Sequence, residues 1–302
     1  MLLNSRHRET FVFAHQTLTT IMKWLQITLL FSATANALVA RQTTLQSCLT
    51  LANVPIQLAS SSAFQQTTTP FNLRFTPSPS LVAVPGNVAQ VQSTVNCARN
   101  AGVKISVKSG GHSYAAYGLS GYLVVDMIRF QTTTLNTSTN IATVGSGVRL
   151  GNMATKLNNL GQRAVPHGTC PGVGIGGHAT SGGFGLASRM WGLSLDTVQS
   201  MTVVTANGNA LTASATQNTD LFWALRGAGA CNFGIVTEFK LKTFPAPVTN
   251  IQWRYTYNFR NQPVKLAQAL KKVQDWGLAS APKELGYGVL LFGGGVFNVR
   301  GV

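Results

Sequence analysis

The sequence predicts an α+β fold, because short segments rich in β-branched residues are mixed with two longer helical patterns. The 302 residues suffice for a substantial core, in one large domain or two smaller ones. Hydrophobic residues make up 45% of the chain and charged residues only 10%. This balance indicates a globular protein rather than a disordered one.

The first regular elements form a predicted β-α-β unit. A short strand is expected at Leu81–Val84, and Asn87 can cap the helix that follows it. Gly102 ends that helix, and the β-branched run Val103–Val107 is the next strand. The apolar face of the helix is spaced three or four residues apart and consists of Val88, Val91, Val95 and Ala98.

The middle of the chain adds further strands and one helix. The helix is expected around Arg149–Leu160, ended by Gly161. Asn207-Gly208 is a strong signal for a hairpin turn. Strands are predicted at Tyr122–Asp126, Ile141–Gly145, Val198–Thr205, Ala210–Ala213 and Ile235–Leu241, and a short helical turn at Leu221–Leu225.

The flanking segments differ in composition. Residues 41–80 are rich in Ser, Thr, Gln and Pro and are expected to be mainly irregular. After Pro245 and Pro247, apolar residues alternate with polar ones from Ile251 to Tyr257, which predicts a half-buried strand. A helix at Pro263–Leu278 and a strand at Gly288–Phe292 continue the start of a second domain.

The N-terminus predicts export from the cell. Lys23 precedes the apolar run Leu25–Leu38, and Ala35-Asn36-Ala37 offers a small-residue cleavage site. The run is short for a membrane span, so a transmembrane anchor is the weaker alternative. Met22 is an alternative start, which would make residues 1–21 an artefact of the gene prediction.

The formal charge of +16 raises nucleic acid as a partner. The basic residues are nevertheless scattered singly, with Lys271-Lys272 about the densest cluster, and no recognition motif is present. We therefore expect a generic basic surface and no nucleic acid partner.

The cysteines fit an oxidising compartment, where they can pair. Cys48 and Cys97 flank the first folded segment and are the candidate disulfide. Cys170 and Cys231 are left over, and Cys231 has no evident role. A single glycosylation sequon begins at Asn136.

A first glycine-rich segment, Lys108 to Tyr114, directly follows the strand Val103–Val107. Adjacent glycines at 110 and 111 let backbone N–H groups converge on an anion. Because no helix is expected to follow, the pattern disfavours a Rossmann phosphate turn. An ordinary glycine turn with an incidental histidine is the structural alternative.

A second segment, His167 to Gly185, contains seven glycines after Pro171. Three of them match the pattern G-x-G-x-x-G, but no apolar strand precedes them. Such density suits a backbone wrapped closely around a large flat ligand. Two alternatives stay open: Cys170 as a small buried hydrophobe, and a zinc site, although its spacing matches no standard module. The candidate zinc ligands are His112, His167, Cys170 and His178.

A third segment runs from Asp220 to Gly227 and continues from Asn232 to Val236. Arg226 beside its glycines could hold a phosphate or pack a cofactor lobe. A purely structural role is equally consistent with its composition.

Together these segments resemble the berberine-bridge-enzyme-like flavoproteins, whose FAD domain is of the p-cresol-methylhydroxylase type. Within them the chain looks most like fungal glucooligosaccharide and chitooligosaccharide oxidases. The similarity rests on the order and spacing of Ser109–Ser113, His167–Pro171 with Gly176–His178, and Leu221–Gly227 with Phe233–Val236. It covers the chain from about Cys48 onward, including Phe71–Arg74 and Gln274–Trp276.

The resemblance implies covalent FAD, bonded to His112 at the 8α carbon and to Cys170 at the adjacent ring edge. Such bonds would raise the reduction potential and hold the ring in an open groove. Tyr114 would stack against the substrate, and Cys48 and Cys97 match the family's disulfide. The implied cofactor-binding residues are Ser109, Gly110, Gly111, His112, Ser113, Thr169, Cys170, Gly174, Gly177, His178, Gly182, Gly183, Gly185, Ile235 and Val236.

The resemblance also implies a division of the chain and a reaction. The divisions are a leader (1–40), an N-terminal segment (41–75), a two-lobed FAD-binding domain (76–247) and the start of an antiparallel-sheet substrate domain (248–302). An alcohol, in oligosaccharides the anomeric carbon, is oxidised to a lactone, with oxygen as acceptor and hydrogen peroxide as product. The general base is expected beyond Val302.

Two departures keep other functions open. The base has no counterpart here, and Cys231 replaces a glycine of the family motif. The alternatives are a berberine-bridge-type oxidase of secondary metabolites and a truncated, non-catalytic flavin-binding protein. The expected protein is a secreted monomer with no stable membrane anchor and no metal.

Overall fold

A computed structural model describes residues 43–229 and 232–302. The chain divides into two compact units after Cys48. The described part of the first unit is the beginning of helix α1 (residues 43–51), and the fold below is that of the second unit, residues 49–302. Within the described ranges, no helix combines the length and apolar character needed to cross a bilayer. The predicted export signal and both candidate start residues lie outside these ranges.

The first sheet has four strands in the order β1-β2-β4-β3, of which β2, β4 and β3 are parallel and β1 is antiparallel. The predicted β-α-β unit is confirmed: the Asn87 side chain accepts from the Gln90 N–H, and Gly102 takes φ of +64° after the helix. The elements are β1 (Ile56–Leu58), α2 (Ser62–Thr68), β2 (Leu81–Ala83), α3 (Val88–Asn100), β3 (Ile105–Lys108) and β4 (Leu123–Asp126).

The second sheet is antiparallel, in the order β5-β6-β10-β8-β9. Helix α4 buries Leu150, Met153 and Leu157 in the same core as strand residues Val144 and Phe239. The elements are β5 (Thr133–Asn136), β6 (Ile141–Gly145), α4 (Leu150–Gly161), β7 (Arg163–Ala164), α5 (Ile175–Thr180), α6 (Ser188–Trp191), β8 (Val198–Val204), β9 (Ala210–Ser214), α7 (Thr219–Leu225), β10 (Ile235–Lys242) and β11 (Phe244–Pro245).

Strands β7 and β11 pair as a separate two-stranded antiparallel sheet. A sheet of three antiparallel strands, in the order β12-β14-β13, follows. The predicted half-buried strand is wrong in its burial, because five of the six β12 residues are exposed and only Trp253 is partly covered. The alternation of apolar and polar residues predicted the strand, but it could not show which part of the protein covers the apolar face of that strand. The elements are β12 (Trp253–Asn258), α8 (Pro263–Ala279), β13 (Tyr287–Phe292) and β14 (Val296–Gly301).

Three further expectations are corrected. Residues 41–80 are not mainly irregular, since they contain α1, β1 and α2. Gly161 lies inside helix α4, and Gln162 takes the left-handed conformation that ends it, at φ of +50°. Helix α5 was missed because its Gly-Gly sequence carries no apolar periodicity.

Candidate functional site

The His112 loop, residues 109–116, leaves the carboxyl end of β3 beside the end of β4. At its base Lys108 Nζ lies 2.9 Å from a carboxylate oxygen of Asp126, which is 1% exposed. Gly111 takes φ of +74°, which L side chains rarely adopt. Ligands of open sheets bind beyond the carboxyl ends of parallel strands, and this loop lies there.

The Cys170 loop, residues 168–174, packs directly against the His112 loop. A Cβ added to Gly110 would lie 2.1 Å from the Gly174 nitrogen, and one added to Gly174 would lie 2.1 Å from Ser109 Oγ. A Cβ on Gly172 would lie 3.1 Å from His112 Nε2. The close approach of these backbones therefore requires glycine on both sides.

Ser109 links the His112 loop to the second sheet and to helix α5. Its hydroxyl donates to the Ser146 carbonyl at 2.6 Å and accepts from the Gly176 N–H at 3.3 Å. The Ser146 hydroxyl is buried beside the cavity and has no hydrogen-bond partner among the described residues. Buried polar atoms without a partner are uncommon, and an ordered water or ion often satisfies them.

A cavity of about 690 Å³ lies between the loops. Its walls come from the ends of β3 and β4 (Lys108, Met127) and from the second sheet (Ser146, Val236). The predicted cofactor residues that line it are Ser109, Gly110, Gly111, His112, Ser113, Gly174, Gly177, His178, Gly183 and Val236, together with Tyr114.

Five predicted cofactor residues do not line this cavity: Thr169, Cys170, Gly182, Gly185 and Ile235. Gly185 is packed against the His167 carbonyl, and Ile235 is buried at the start of β10. Thr169 lines a second cavity of about 500 Å³ with Trp253, Arg254 and Arg300. Cys170 is an exposed free thiol. It precedes by two residues Gly172, the glycine that lies beside His112.

His112 lies at the cavity wall in an aromatic setting. Its ring stacks on Phe71 with centroids 4.5 Å apart, and Phe71 meets the Tyr114 ring edge-on at 5.6 Å. Asn72 Nδ2 donates to the Tyr114 carbonyl at 2.8 Å, so the Phe71–Arg74 segment helps to hold this loop. Burial, and then the charge of Arg149, lowers the pKa of His112 below 6.5. The imidazole is therefore neutral at neutral pH and keeps a free lone pair.

His178 has a structural hydrogen bond at the opposite side. Its Nε2 accepts from the Gly168 N–H at 3.0 Å, which fixes the ring against the Cys170 loop. Burial first, and the neighbouring His167 second, lower its pKa. His178 thus stays neutral and serves as an acceptor.

Of the third motif, Val236 lines the cavity but Arg226 does not. The Arg226 guanidinium carbon lies 4.3 Å over the Phe222 ring. The N–H groups of Gly227 and Gly229 both donate to the Thr180 carbonyl. Of the two roles left open for Arg226, the contacts favour packing. Cys231 lies outside the described residues.

Sequence reasoning missed Ser146, Arg149 and Phe71 as site residues. Each reaches the site from a segment distant in sequence, so no local pattern could identify it. In the described part of the chain, no three His, Cys, Asp or Glu side chains come together as a metal site. Cys48 and Cys97 are both disulfide-bonded, as the resemblance implied.

Comparison with known proteins agrees with this geometry. Residues 79–214 match the family described as FAD binding domain. The carbohydrate oxidase of Microdochium nivale is 42% identical over 277 residues, which cover 90% of this chain and 55% of that protein. Other relatives are named xylooligosaccharide, chitooligosaccharide and glucooligosaccharide oxidases. The chain spans about half the length of the curated relatives it matches.

Solved structures give the same fold. BBE-like 1 of Physcomitrella patens superposes with a TM-score of 0.79 at 37% identity, over 85% of this chain and 56% of that one. Glucooligosaccharide oxidase from Acremonium strictum, described as holding a 6-S-cysteinyl, 8α-N1-histidyl FAD, superposes with a TM-score of 0.80 at 37% identity, over 85% and 54%. The fold is therefore the mixed helix-and-sheet fold of the berberine-bridge-enzyme-like FAD-binding proteins.

Proposed function

Because this chain carries the FAD binding domain of the berberine-bridge-enzyme-like oxidoreductases, we propose that it binds FAD between the His112 and Cys170 loops, tethered covalently to both side chains. The observation that carries the proposal is the convergence of these loops at one cavity, with the neutral imidazole of His112 in its wall. The cysteinyl and histidyl attachments of FAD in the Acremonium enzyme support the same pair of tethers.

The cavity suits a large flat ligand. Its volume falls within the range of small-molecule sites. A Cβ on Gly177 would meet no protein atom within 4 Å and would extend into the cavity. The Ser146 hydroxyl lies beside the cavity and has no hydrogen-bond partner among the described residues. The protein thus leaves room where the cofactor would lie.

Each tether would replace one flavin C–H bond with a bond to a side chain, the nitrogen of His112 or the sulfur of Cys170. The flavin hydrogen and the side-chain hydrogen would leave as protons, and the two electrons would pass to oxygen, which gives hydrogen peroxide. A neutral imidazole can form this bond, whereas a protonated one lacks the lone pair. The exposure of Cys170 leaves its sulfur accessible for the second bond.

The substrate we propose is an alcohol, the anomeric carbon of an oligosaccharide, oxidised to a lactone with oxygen as acceptor. The bound FAD supplies a hydride acceptor for the alcohol carbon and returns both electrons to oxygen as hydrogen peroxide. Tyr114, 75% exposed at the cavity, offers a stacking surface for a sugar ring. The oligosaccharide oxidases among the relatives support this substrate class.

The test begins with the colour of the purified protein. Yellow colour should stay in the pellet after acid precipitation, and peptide mass should place flavin on His112 and Cys170. The double variant His112→Ala, Cys170→Ala should release all flavin, and retention in its pellet would refute the tethers. Peroxide release with cello- or chito-oligosaccharides then tests the oxidase activity, and its absence in tethered protein would indicate a binding function alone.

We also propose that the protein is secreted. Export is supported by the apolar N-terminal run and by the disulfide-bonded state of Cys48 and Cys97, since disulfides persist in oxidising compartments. Expression from its own N-terminus in a fungal host should give culture medium containing protein cleaved near Ala37. Uncleaved protein retained in the cells would contradict the proposal.

A further inference from the structure

The N-terminus of helix α4 holds the Cys170 loop by its backbone. The Leu150 N–H donates to the Val173 carbonyl at 2.9 Å, and the Gly151 N–H donates to the Pro171 carbonyl at 3.0 Å. These are first-turn donors that have no partner within the helix. The carbonyl between them, that of Gly172, accepts at 2.7 Å from Nη1 of the Arg149 guanidinium. Three successive carbonyls of the loop are therefore fixed by three successive residues.

The Arg149 side chain also reaches the His112 loop. The same Nη1 atom donates to the Gly110 carbonyl, two residues before His112. One guanidinium nitrogen thus joins a carbonyl of each loop, at a point where glycines let the backbones touch. Charge-assisted hydrogen bonds of this kind are stronger than neutral ones and fix geometry.

Arg149 also acts on His112 through its charge. A cation near an imidazole disfavours the protonated ring, and Arg149 contributes to the lowered pKa of His112, after burial. The residue therefore affects both the position of the His112 loop and the protonation state of its histidine.

We propose that Arg149 is a positioning residue for covalent flavin attachment: it sets the spacing between the loops that carry His112 and Cys170, so that both side chains reach one flavin. This inference rests on the proposed function, because it takes the two tethers as given. Without the guanidinium, the two loops separate or shift. The flavin bonds to His112 and to Cys170 then form more slowly on the same flavin ring. Misplacement by about 1 Å lowers rates about 10²-fold.

The experiment compares Arg149→Gln with a matched control, Arg163→Gln, in the full chain. Arg163 is also partly buried and bridges segments, since it donates to the side chain and carbonyl of Thr243, but these hydrogen bonds reach neither the His112 loop nor the Cys170 loop. Both variants are expressed without flavin and mixed with FAD, and the fractions tethered at His112, at Cys170 and at both are followed by intact and peptide mass. Thermal unfolding of the flavin-free proteins measures stability.

We expect Arg149→Gln to form the doubly tethered species about 10²-fold more slowly and to accumulate singly tethered protein. Arg163→Gln should lose comparable stability yet attach flavin at the wild-type rate. Arg149→Lys, which keeps the charge with a shorter reach, should give an intermediate rate, and it provides the measurement if the glutamine variant does not fold.

Three outcomes would overturn the inference. One is a wild-type rate of double attachment in both Arg149 variants. Another is an equal slowing in Arg163→Gln, which would show a general effect of stability. Wild-type protein that binds FAD without any covalent bond would refute the tethers themselves, and this inference would fall with them, so the two failures are distinguishable.

Discussion

Gly177 offers a direct test of where the cofactor lies. This residue is inside helix α5 and lines the cavity, and a Cβ built on it has no protein atom within 4 Å. Alanine is favoured over glycine in a helix by about 1 kcal/mol. Gly177→Ala should therefore leave the flavin-free protein as stable as wild type or slightly more stable. Any loss must come from the ligand that the new methyl group meets.

The expected loss is in flavin attachment. A cofactor in contact with the Gly177 backbone must move by roughly 1 Å to admit a methyl group, which is a misplacement worth about 10²-fold in rate. The assay is covalent flavin per chain against time after FAD is added to flavin-free protein, with the melting temperature measured in parallel. A wild-type attachment rate in Gly177→Ala would place the flavin elsewhere.

Two further glycines calibrate this result. At Gly174 the added Cβ would lie 2.1 Å from Ser109 Oγ and 2.3 Å from the Gly110 nitrogen, against ordinary contact from 3.4 Å, so the loops must separate by about 1 Å. Such overpacking costs about 1–3 kcal/mol, and each kcal/mol lowers the melting temperature by about 2–4 °C. Gly293 has open space around it and lies away from the cavity, so Gly293→Ala should change neither measurement.

Three other predictions concern stability. Asp126→Asn leaves the partly buried Lys108 without its counter-ion and should destabilise the protein by about 1.5–3 kcal/mol, seen as a lower urea midpoint; an unchanged midpoint would mean that the pair contributes nothing. Burial lowers the pKa of His178, so the unfolded chain binds more protons than the native one as the pH falls through 6.5. The melting temperature should therefore decrease as the pH is lowered, and it should decrease less steeply in His178→Asn. Equal slopes of melting temperature against pH in the two proteins would contradict this linkage. Cys48→Ala with Cys97→Ala should cost about 2–5 kcal/mol in urea unfolding, and wild-type protein in reductant should match the double variant.

The elements that sequence predicted well have strong local signals. Asn87 and Gly102 bracket α3, Asn207-Gly208 lies in the loop between β8 and β9, and Pro263 begins α8, each by its own backbone chemistry. The failures arise where tertiary packing outweighs the local preference of the chain. Helix α5 contains two adjacent glycines, which disfavour helix, and it forms because the Ile175 and Ala179 side chains are buried in the core of the second sheet.

The sequence likewise predicted one part of the candidate site and not another. The glycine-rich loops were recognisable because close backbone approach demands glycine over a stretch of sequence. The residues that hold these loops in place were not recognisable, because their roles depend on single long-range contacts. Arg149 bonds a carbonyl 39 residues earlier, and the Ser146 carbonyl accepts from a hydroxyl 37 residues earlier. An arginine before a helix predicts nothing about that partner.

The cavity joins the two larger sheets of the fold, and this has a thermodynamic consequence. Lys108 and Met127 reach it from the first sheet, and Ser146 and Val236 reach it from the second. A ligand that contacts both walls binds only when both sheets are folded, so its binding energy stabilises them together. The proposed covalent attachment would make that stabilisation independent of the concentration of free FAD. The same tethers that would tune the cofactor would thus also hold the two halves of the domain together at an open cavity.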